Sequence, residues 1–406
     1  MPIRPQLVVL QPTPFCNIDC SYCYLRHRDD HRLMASEVIE AIREKVVRPM
    51  PADASPVIVW HAGEPTAAPI RWFEHAHERL VSVAPARTSF AMQSNGVAID
   101  ERWVALFRRT NTNVSLSIDG PQRFHDRRRR TRNGKATWQL AMRGLKRLQD
   151  AGFEPRIITV LHPAALDCAE EYYGFYRDNG LTQVSFSIDE QEGAHEQSSF
   201  VGWDQKGRVR GFLVKMLETA YRDGFPLHIG EIERITHVLA GTTIAENELV
   251  EPWATIVVAA DGSVSTFSPE LMEAHAPKYN NFVFGNILDG DVEVFSSTKH
   301  FQNASRDVAA GVASCEATCG YFGVCGGGSP VNKLCEKGDL SATETEYCRL
   351  SVQTSADALL ELLARSRNGS AQPTVSGQAA KVEATDGSRT ACSLISPQPP
   401  ARVIAR

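Results

Sequence analysis

The run PFCNIDCSYCYL, residues 14–25, decides how the rest of the chain is read. Its cysteines, Cys16, Cys20 and Cys23, are separated by three residues and then two, so one short loop gathers three thiols. Soft sulfur donors select iron–sulfur clusters or zinc over hard cations. A structural zinc site wants a fourth Cys or His nearby, and the local candidates, His27 and His31, are oddly spaced. A cubane cluster has four irons, so three thiolates leave one iron open. A substrate or cosubstrate can bind there and receive an electron.

Outward from this loop, short apolar runs alternate with amphipathic helical ones. LVVLQPT (7–13) precedes the cysteines and SEVIEAIREKVV (36–47) follows them with helical periodicity. Further strand-like runs are VIVW (57–60), TSFAMQS (88–94), NVSLSID (113–119), PRIITVL (155–161) and QVSFSID (183–189), with helices read around 71–83, 100–109, 137–151 and 168–178. Apolar strands joined by helical crossovers imply a parallel sheet buried on both faces. Six strands are too few for a closed eight-stranded barrel and fit a partial (β/α)6 barrel. Such folds carry their sites at the C-terminal ends of strands, where the cysteine loop, HAGEP (61–65), QSNG (93–96) and SIDGP (117–121) all fall.

Residues 206–240 read as helical, and TIVVAADGSVSTFS (255–268) reads as a hairpin turning at Asp261-Gly262. The expected division is a barrel over 1–240, a small cysteine-rich domain over 241–365 and a disordered Ser/Pro/Gly/Ala-rich tail over 366–406. Lys+Arg 43 against Asp+Glu 48 gives a net charge of −5, which favours neither nucleic acid nor a membrane surface as partner. No apolar stretch reaches the roughly 20 residues of a membrane helix, and no signal-peptide core opens the chain. Ten cysteines at close spacings read as metal ligands in a reducing compartment, the cytoplasm, rather than as disulfides.

The spacing of Cys16, Cys20 and Cys23, with the aromatic Tyr22 between the last two, resembles the signature of the radical S-adenosylmethionine (SAM) superfamily. The resemblance implies a [4Fe-4S] cluster on these cysteines whose open iron chelates the amino and carboxylate groups of SAM. HAGEP resembles that superfamily's Gly-Gly-Glu-Pro motif with Ala62 in place of the first glycine. By this likeness Ala62 and Gly63 offer backbone groups to the SAM amino group, and Glu64 adds an acceptor for a cation. Gln93 and Asn95 end one strand and Ser117 the next, so their side chains are expected in the same pocket together with Tyr22. The resemblance also carries Ser117 and Arg129, within SIDGPQRFHDRRRR, onto SAM contacts, a guanidinium being a good partner for a carboxylate. The remaining arginines of 127–130 read as a solvated loop, and Asp119 as a residue that shapes its turn.

A second cysteine group, Cys315, Cys319, Cys325, Cys335 and Cys348, resembles the SPASM extension of peptide-modifying radical SAM enzymes. A full extension carries two auxiliary cubanes. Here no cysteine lies between 168 and 315 and Ser329 occupies the later position, so the ligands of one cluster are missing together. The resemblance leaves Cys315, Cys319, Cys325 and Cys348 as ligands of one auxiliary [4Fe-4S] cluster, with Cys335 an alternative to Cys348. Four thiolates would equally suit zinc. Cys168 and Cys392 read as plain thiols.

Taken with VWHAGEP, GGGSPVNK and ETEYC, the chain over 6–350 is most similar to the maturases of glycine-rich-repeat peptides, the GRRM/OscB-type cyclophane-forming family. The similarity implies a ribosomal precursor peptide as substrate and a cross-link from a side-chain Cβ to an aromatic ring. It also implies an electron donor such as flavodoxin or ferredoxin, and the auxiliary cluster as electron acceptor. Asp189 or Glu190, in SIDEQEG (187–193), would be the proton acceptor, with Glu231, Glu233 and Arg234 weaker candidates for such polar roles. Because the first strand run opens at residue 7, the leader is expected to be recognised by the core, by 200–250 or by a separate leader-binding protein. Two rival readings remain. One is a sulfatase-type maturase oxidising Ser or Cys to formylglycine, an enzyme class that usually keeps both auxiliary clusters. The other is a non-catalytic zinc or iron–sulfur scaffold.

Overall fold

A computed structural model describes residues 4–200, 205–241 and 247–367. The strands are β1 (Leu7–Leu10), β2 (Ile18–Cys20), β3 (Val57–Trp60), β4 (Ser89–Ser94), β5 (Thr112–Ser117), β6 (Arg129–Thr131), β7 (Arg156–Leu161), β8 (Gln183–Ile188), β9 (His228–Ile229), β10 (Thr255–Val258), β11 (Ser263–Thr266) and β12 (Gly285–Asn286). The six strands expected from sequence, β1, β3, β4, β5, β7 and β8, lie side by side in that order and are all parallel. Helices such as Ile70–Val81, Glu101–Thr110, Trp138–Asp150 and Ala169–Asp178 cross between them. The fold is therefore α/β around a mostly parallel sheet.

Alternation along each strand sorts the side chains into two faces. Val8, Leu10, Ile58, Trp60, Phe90, Met92 and Leu116 pack against the helices in one continuous core. Val9, Val59, Ala91 and Val257 form a separate cluster on the inner face. Parallel register then runs Gln93 beside Ser115 and Arg156, Ser117 beside Ile158 and Ser185, and Val160 beside Ser187. The concave side is thus apolar toward β1 and polar toward β8, which places hydrogen-bonding groups where the sheet opens.

Two features depart from the sequence reading. The hairpin over 255–268 joins the main sheet: β10 pairs in parallel with β1, Leu7 opposite Thr255, and continues through β11 and β12. All four residues of β10 are buried, so this strand covers an edge that β1 would otherwise leave unpaired. The segment 206–240, read as helical, is two helices, Lys206–Asp223 and Gly230–Leu239, with a short strand between them. Left-handed Gly224 ends the first and Pro226 prevents its continuation, which frees His228–Ile229 to pair as β9 with β8. The final helix, Thr354–Arg367, packs on Lys206–Asp223. From residue 368 the expected tail, with Cys392, lies outside the described residues. Among the described residues no helix is long and apolar enough to cross a membrane.

Candidate active site

The cysteine loop is stitched to the strand ends by backbone. Glu64 N–H donates to the carbonyl of Phe15 at 2.8 Å, and His61 N–H to that of Leu10 at 3.0 Å. The Ala62-Gly63 turn takes positive φ at both residues, 67° and 65°. A Cβ on Gly63 would sit 2.2 Å from the Thr13 carbonyl oxygen and 2.8 Å from that of Phe15. Only glycine lets the HAGEP turn lie this close to the cysteines. On the opposite side, β2 and β6 form a small antiparallel sheet that sets Cys20 opposite Arg129.

Glu64 is almost fully buried, and its oxygens accept from the Thr66 and Asn95 N–H groups and from the Ser94 hydroxyl at 2.8–2.9 Å. Burial raises this carboxyl in spite of those donors. The sequence reading offered it to a cation. In the folded chain it fastens the HAGEP turn to the end of β4 instead. Asn95 then turns its amide toward the cysteines, 3.8 Å from Cys16 Sγ and 2.7 Å from Asn17 Oδ1. Gln93 donates to Ser117 Oγ at 2.7 Å.

Asp119 is the hub of the site. It is completely buried, accepts from the Tyr22 hydroxyl at 2.6 Å and lies 3.0 Å from Arg129 Nε. Burial alone would raise its carboxyl; the Arg129 guanidinium and the Tyr22 hydroxyl outweigh that and hold it below the usual range. Burial pushes His125 down to about 4, so its imidazole is neutral. Nδ1 accepts from the Asp119 N–H at 3.3 Å, leaving Nε2 to donate to Thr137 Oγ1, which in turn donates to the Arg129 carbonyl at 2.6 Å. Arg129 is thereby held at both ends, with Nη1 3.8 Å from Cys20 Sγ. Arg128 lies 2.8 Å from Asp189 and over the Tyr22 ring. Arg128 and Arg129 are therefore buried ion-pair members, whereas Arg127 and Arg130 are exposed, as the solvated-loop reading expected.

The two candidate carboxylates separate. Asp189 faces Arg128, His195 Nε2 at 2.8 Å and the Ser199 hydroxyl. Burial would raise it, but these partners keep it ionised below its ordinary range. Glu190 points into a different environment, hydrogen-bonded to Asn332 and Glu192, with Glu270 and Glu336 nearby. Burial first, and then these like charges, drive Glu190 and Glu192 upward, and burial raises Glu270. Three carboxyls crowded together, Glu270 buried and the other two half-buried, disfavour full ionisation, so the group shares protons. Of the weaker candidates, Glu231 is half-buried and accepts from Phe186 N–H, while Glu233 pairs with His228 near the surface.

Burial also pushes up the thiols of Cys16, Cys20 and Cys23. A bound metal, whose charge favours thiolate, is what would hold these sulfurs deprotonated. Among the described residues no group of three or more Cys, His, Asp or Glu side chains is already arranged around a metal position. The donor set and its neighbours nonetheless fit a thiolate-bound cluster: three sulfurs on one loop act on one another electrostatically, with Asn95 and Arg129 N–H groups directed at two of them. Buried polar atoms on the concave side also await partners, Gln93 Oε1, His162 Nε2 and Ser187 Oγ. They fit a polar small molecule at the strand ends, as SAM would require.

Downstream, Cys325 lies in the field of Cys319, and Cys348 in that of Cys325. Cys315 sits one helical turn before Cys319, whose N–H donates to its carbonyl at 2.8 Å, and buried Lys333 approaches its sulfur at 3.4 Å. Cys335 faces elsewhere, toward the Gly193 N–H and Glu190, Glu336 and Glu270. Cys348 is therefore the one of the two alternatives that lies in the field of another cysteine of this group, Cys325. Sequence reasoning did not single out His162, Ser187 or Glu270, nor give Lys333 a role. The Ser-x-Ser alternation of β8, apolar between, was the one available signal for Ser187.

Residues 10–175 match the family described as the radical SAM superfamily. The chain is 32% identical over 369 residues to the uncharacterized protein sll1766 of Synechocystis, covering 89% of this chain and 92% of that one. It is 27% identical over 227 residues to a serine-type anaerobic sulfatase-maturating enzyme of Bacteroides thetaiotaomicron, over 52% of this chain and 54% of that enzyme. The solved structure of anSMEcpe with bound AdoMet and Cp18Cys peptide superposes with a TM-score of 0.72 at 19% identity, covering 90% of this chain and all of that one. With three cysteines on the loop after the first strand and a partial barrel whose polar strand ends face them, the chain belongs to the radical SAM superfamily.

Proposed function

We propose that the protein is a radical SAM maturase that modifies a ribosomally made precursor peptide by joining a side-chain Cβ to an aromatic ring. Cys16, Cys20 and Cys23 would hold the [4Fe-4S] cluster, and Ala62, Gly63, Gln93, Asn95, Ser117 and Arg129 would surround SAM. When bound and supplied with one electron, that pair furnishes a 5′-deoxyadenosyl radical able to take a hydrogen atom from carbon. The peptide Cβ radical would attack a neighbouring aromatic ring, and loss of one electron and one proton would complete the bond. Asp119 and Glu64 keep the surrounding side chains fixed through this sequence. The proton is best assigned to the group formed by Glu190, Glu192 and Glu270, whose raised carboxyls make it the stronger base; Asp189 is held ionised by Arg128, His195 and Ser199. The electron would pass to an auxiliary cluster on Cys315, Cys319, Cys325 and Cys348.

The observation that carries cross-linking over other peptide oxidations is the cysteine count: one auxiliary ligand set is retained and the other is wholly missing, with Ser329 at its last position. Formylglycine formation is the second reading, favoured by the likeness to a sulfatase-maturating enzyme. Tandem mass spectrometry of a co-expressed precursor peptide separates them. A two-hydrogen loss with no backbone fragmentation inside a short aromatic-containing stretch supports the cross-link. A new aldehyde that reacts with a hydrazide probe supports formylglycine and overturns the cross-link.

A further inference from the structure

Lys333 is a buried cation with no acid to answer it. The residue is only 3% exposed, and among the described residues its ammonium forms no ion pair with a carboxylate. It donates instead to the Gly311 carbonyl at 2.9 Å and to Cys315 Sγ at 3.4 Å. A buried charge normally has a counter-charge or a metal beside it. The fold makes room for this one deliberately. Gly311 lies inside the helix Lys299–Thr318, one turn before Cys315, where glycine weakens a helix. A Cβ at Gly311 would sit 2.2 Å from the Leu340 carbonyl oxygen and 2.9 Å from Lys333 Nζ.

Two other sulfurs of the set are met by donors as well. Cys325 accepts from the N–H groups of Gly327 and Gly328, whose φ values of 112° and 78° bend the turn toward it. Cys348 Sγ accepts from Thr345 N–H at 3.4 Å. A neutral thiol is a weak acceptor, so donors on three sulfurs, one of them a cation, fit metal-bound thiolates. On the same helix as Lys333, Pro330–Lys337, Asn332 donates to Glu190. That one helix therefore touches both the auxiliary cysteines and the carboxyl group assigned the proton.

We infer that Lys333 is a positioning residue that acts through Cys315 to raise the reduction potential of the auxiliary cluster, favouring its use as electron acceptor. The inference rests on the iron–sulfur reading of Cys315, Cys319, Cys325 and Cys348. In the proposed reaction the cross-linked peptide radical gives up one electron, its proton passes to the Glu190 group, and the cluster goes from the 2+ to the 1+ state with no bond made or broken there. The reduced state carries one more negative charge. A fixed cation in a buried site favours it, and charge and hydrogen bonds at the sulfurs are among the factors that set such potentials.

The test uses the full, anaerobically reconstituted chain carrying Cys16→Ala/Cys20→Ala/Cys23→Ala, so that only auxiliary iron is read, and follows the cluster by EPR during a redox titration. Lys333→Met removes the charge at similar length and should shift the one-electron equilibrium toward the oxidised form about tenfold, a fall in midpoint potential of about 59 mV. Lys333→Gln should shift it in the same direction. Lys333→Arg keeps the charge and should stay within about twofold of the parent. Met and Gln variants with full iron and a shift under about threefold overturn the assignment. Equal shifts in the Arg and Met variants also overturn it, since packing rather than charge would then be responsible. So does loss of the cluster from all three variants, which would leave Lys333 a part of the fold alone. A parent chain that holds zinc or no metal on this set would instead remove the auxiliary-cluster reading, and the inference with it, while deoxyadenosine release by the chain with its N-terminal cysteines intact stays untouched.

Discussion

Replacing Gly63 by alanine should detach the cysteine loop from the sheet. Gly63 has φ of 65°, and left-handed backbone costs an L-residue roughly 1–2 kcal/mol. The added Cβ would also lie 2.2 Å from Thr13 O, 2.8 Å from Phe15 O and 2.9 Å from Pro14 C, all main-chain atoms with no rotamer to escape into. The loop must retreat by roughly 1 Å, which breaks the 2.8 Å bond from Glu64 N–H to Phe15 O and costs about 1 kcal/mol more. The expected loss is about 3 kcal/mol or more, with cluster content reduced because Cys16 moves. Gly134 supplies the control: its φ is 77°, yet nothing lies within 4 Å of its added Cβ, so Gly134→Ala bears only the backbone strain of roughly 1–2 kcal/mol. Urea unfolding of the iron-free chains and iron content after anaerobic reconstitution measure both effects. Equal stability of the two variants, with full iron on Gly63→Ala, would refute the close-approach argument.

Asp119→Ala leaves Arg129 buried without its partner and should cost about 3–5 kcal/mol, with Asp119→Asn costing less; a loss under about 1 kcal/mol in the alanine variant would remove Asp119 as the hub. Glu190 has its folded pKa raised by burial above the ordinary carboxyl value of about 4.3, so above that pH the fold holds more protons than the unfolded chain and stability falls as pH rises. Glu190→Gln should therefore raise Tm at about pH 8.5 and change it little at about pH 4.5; the opposite order would place an ionised carboxylate there. Cys348→Ser should lose the auxiliary iron while Cys335→Ser retains it, as read by iron and sulfide analysis, because Cys335 faces Glu190 and Glu270 rather than the other cysteines.

The barrel strands were legible because each is a short apolar run bounded by a helical one, and strand ends inherit their polar motifs directly. The cysteine loop, the HAGEP turn and the strand-end positions Gln93, Asn95 and Ser117 all come together around it. What the sequence hid was made by long-range contact. TIVV at 255–258 reads as half of a hairpin, and nothing local says that it also pairs in parallel with β1. Four consecutive arginines look alike in sequence; Asp119 and Asp189, reached only through the fold, bury two of them. Glu64 has the chemistry to hold a cation, but donors from Thr66, Ser94 and Asn95 claim it first. The proton-sharing group needs residues near 190, 270 and 332, three separate stretches whose meeting no local pattern records.

The central claim is that three cysteines leave one iron free to bind and reductively cleave SAM. The direct measurement is 5′-deoxyadenosine release from anaerobically reconstituted, dithionite-reduced protein supplied with SAM, alongside Cys16→Ala, Cys20→Ala and Cys23→Ala. Steady release from the parent and none from the three variants is the expected result. A fully iron-loaded parent that releases no deoxyadenosine, or variants that release it undiminished, would contradict the account.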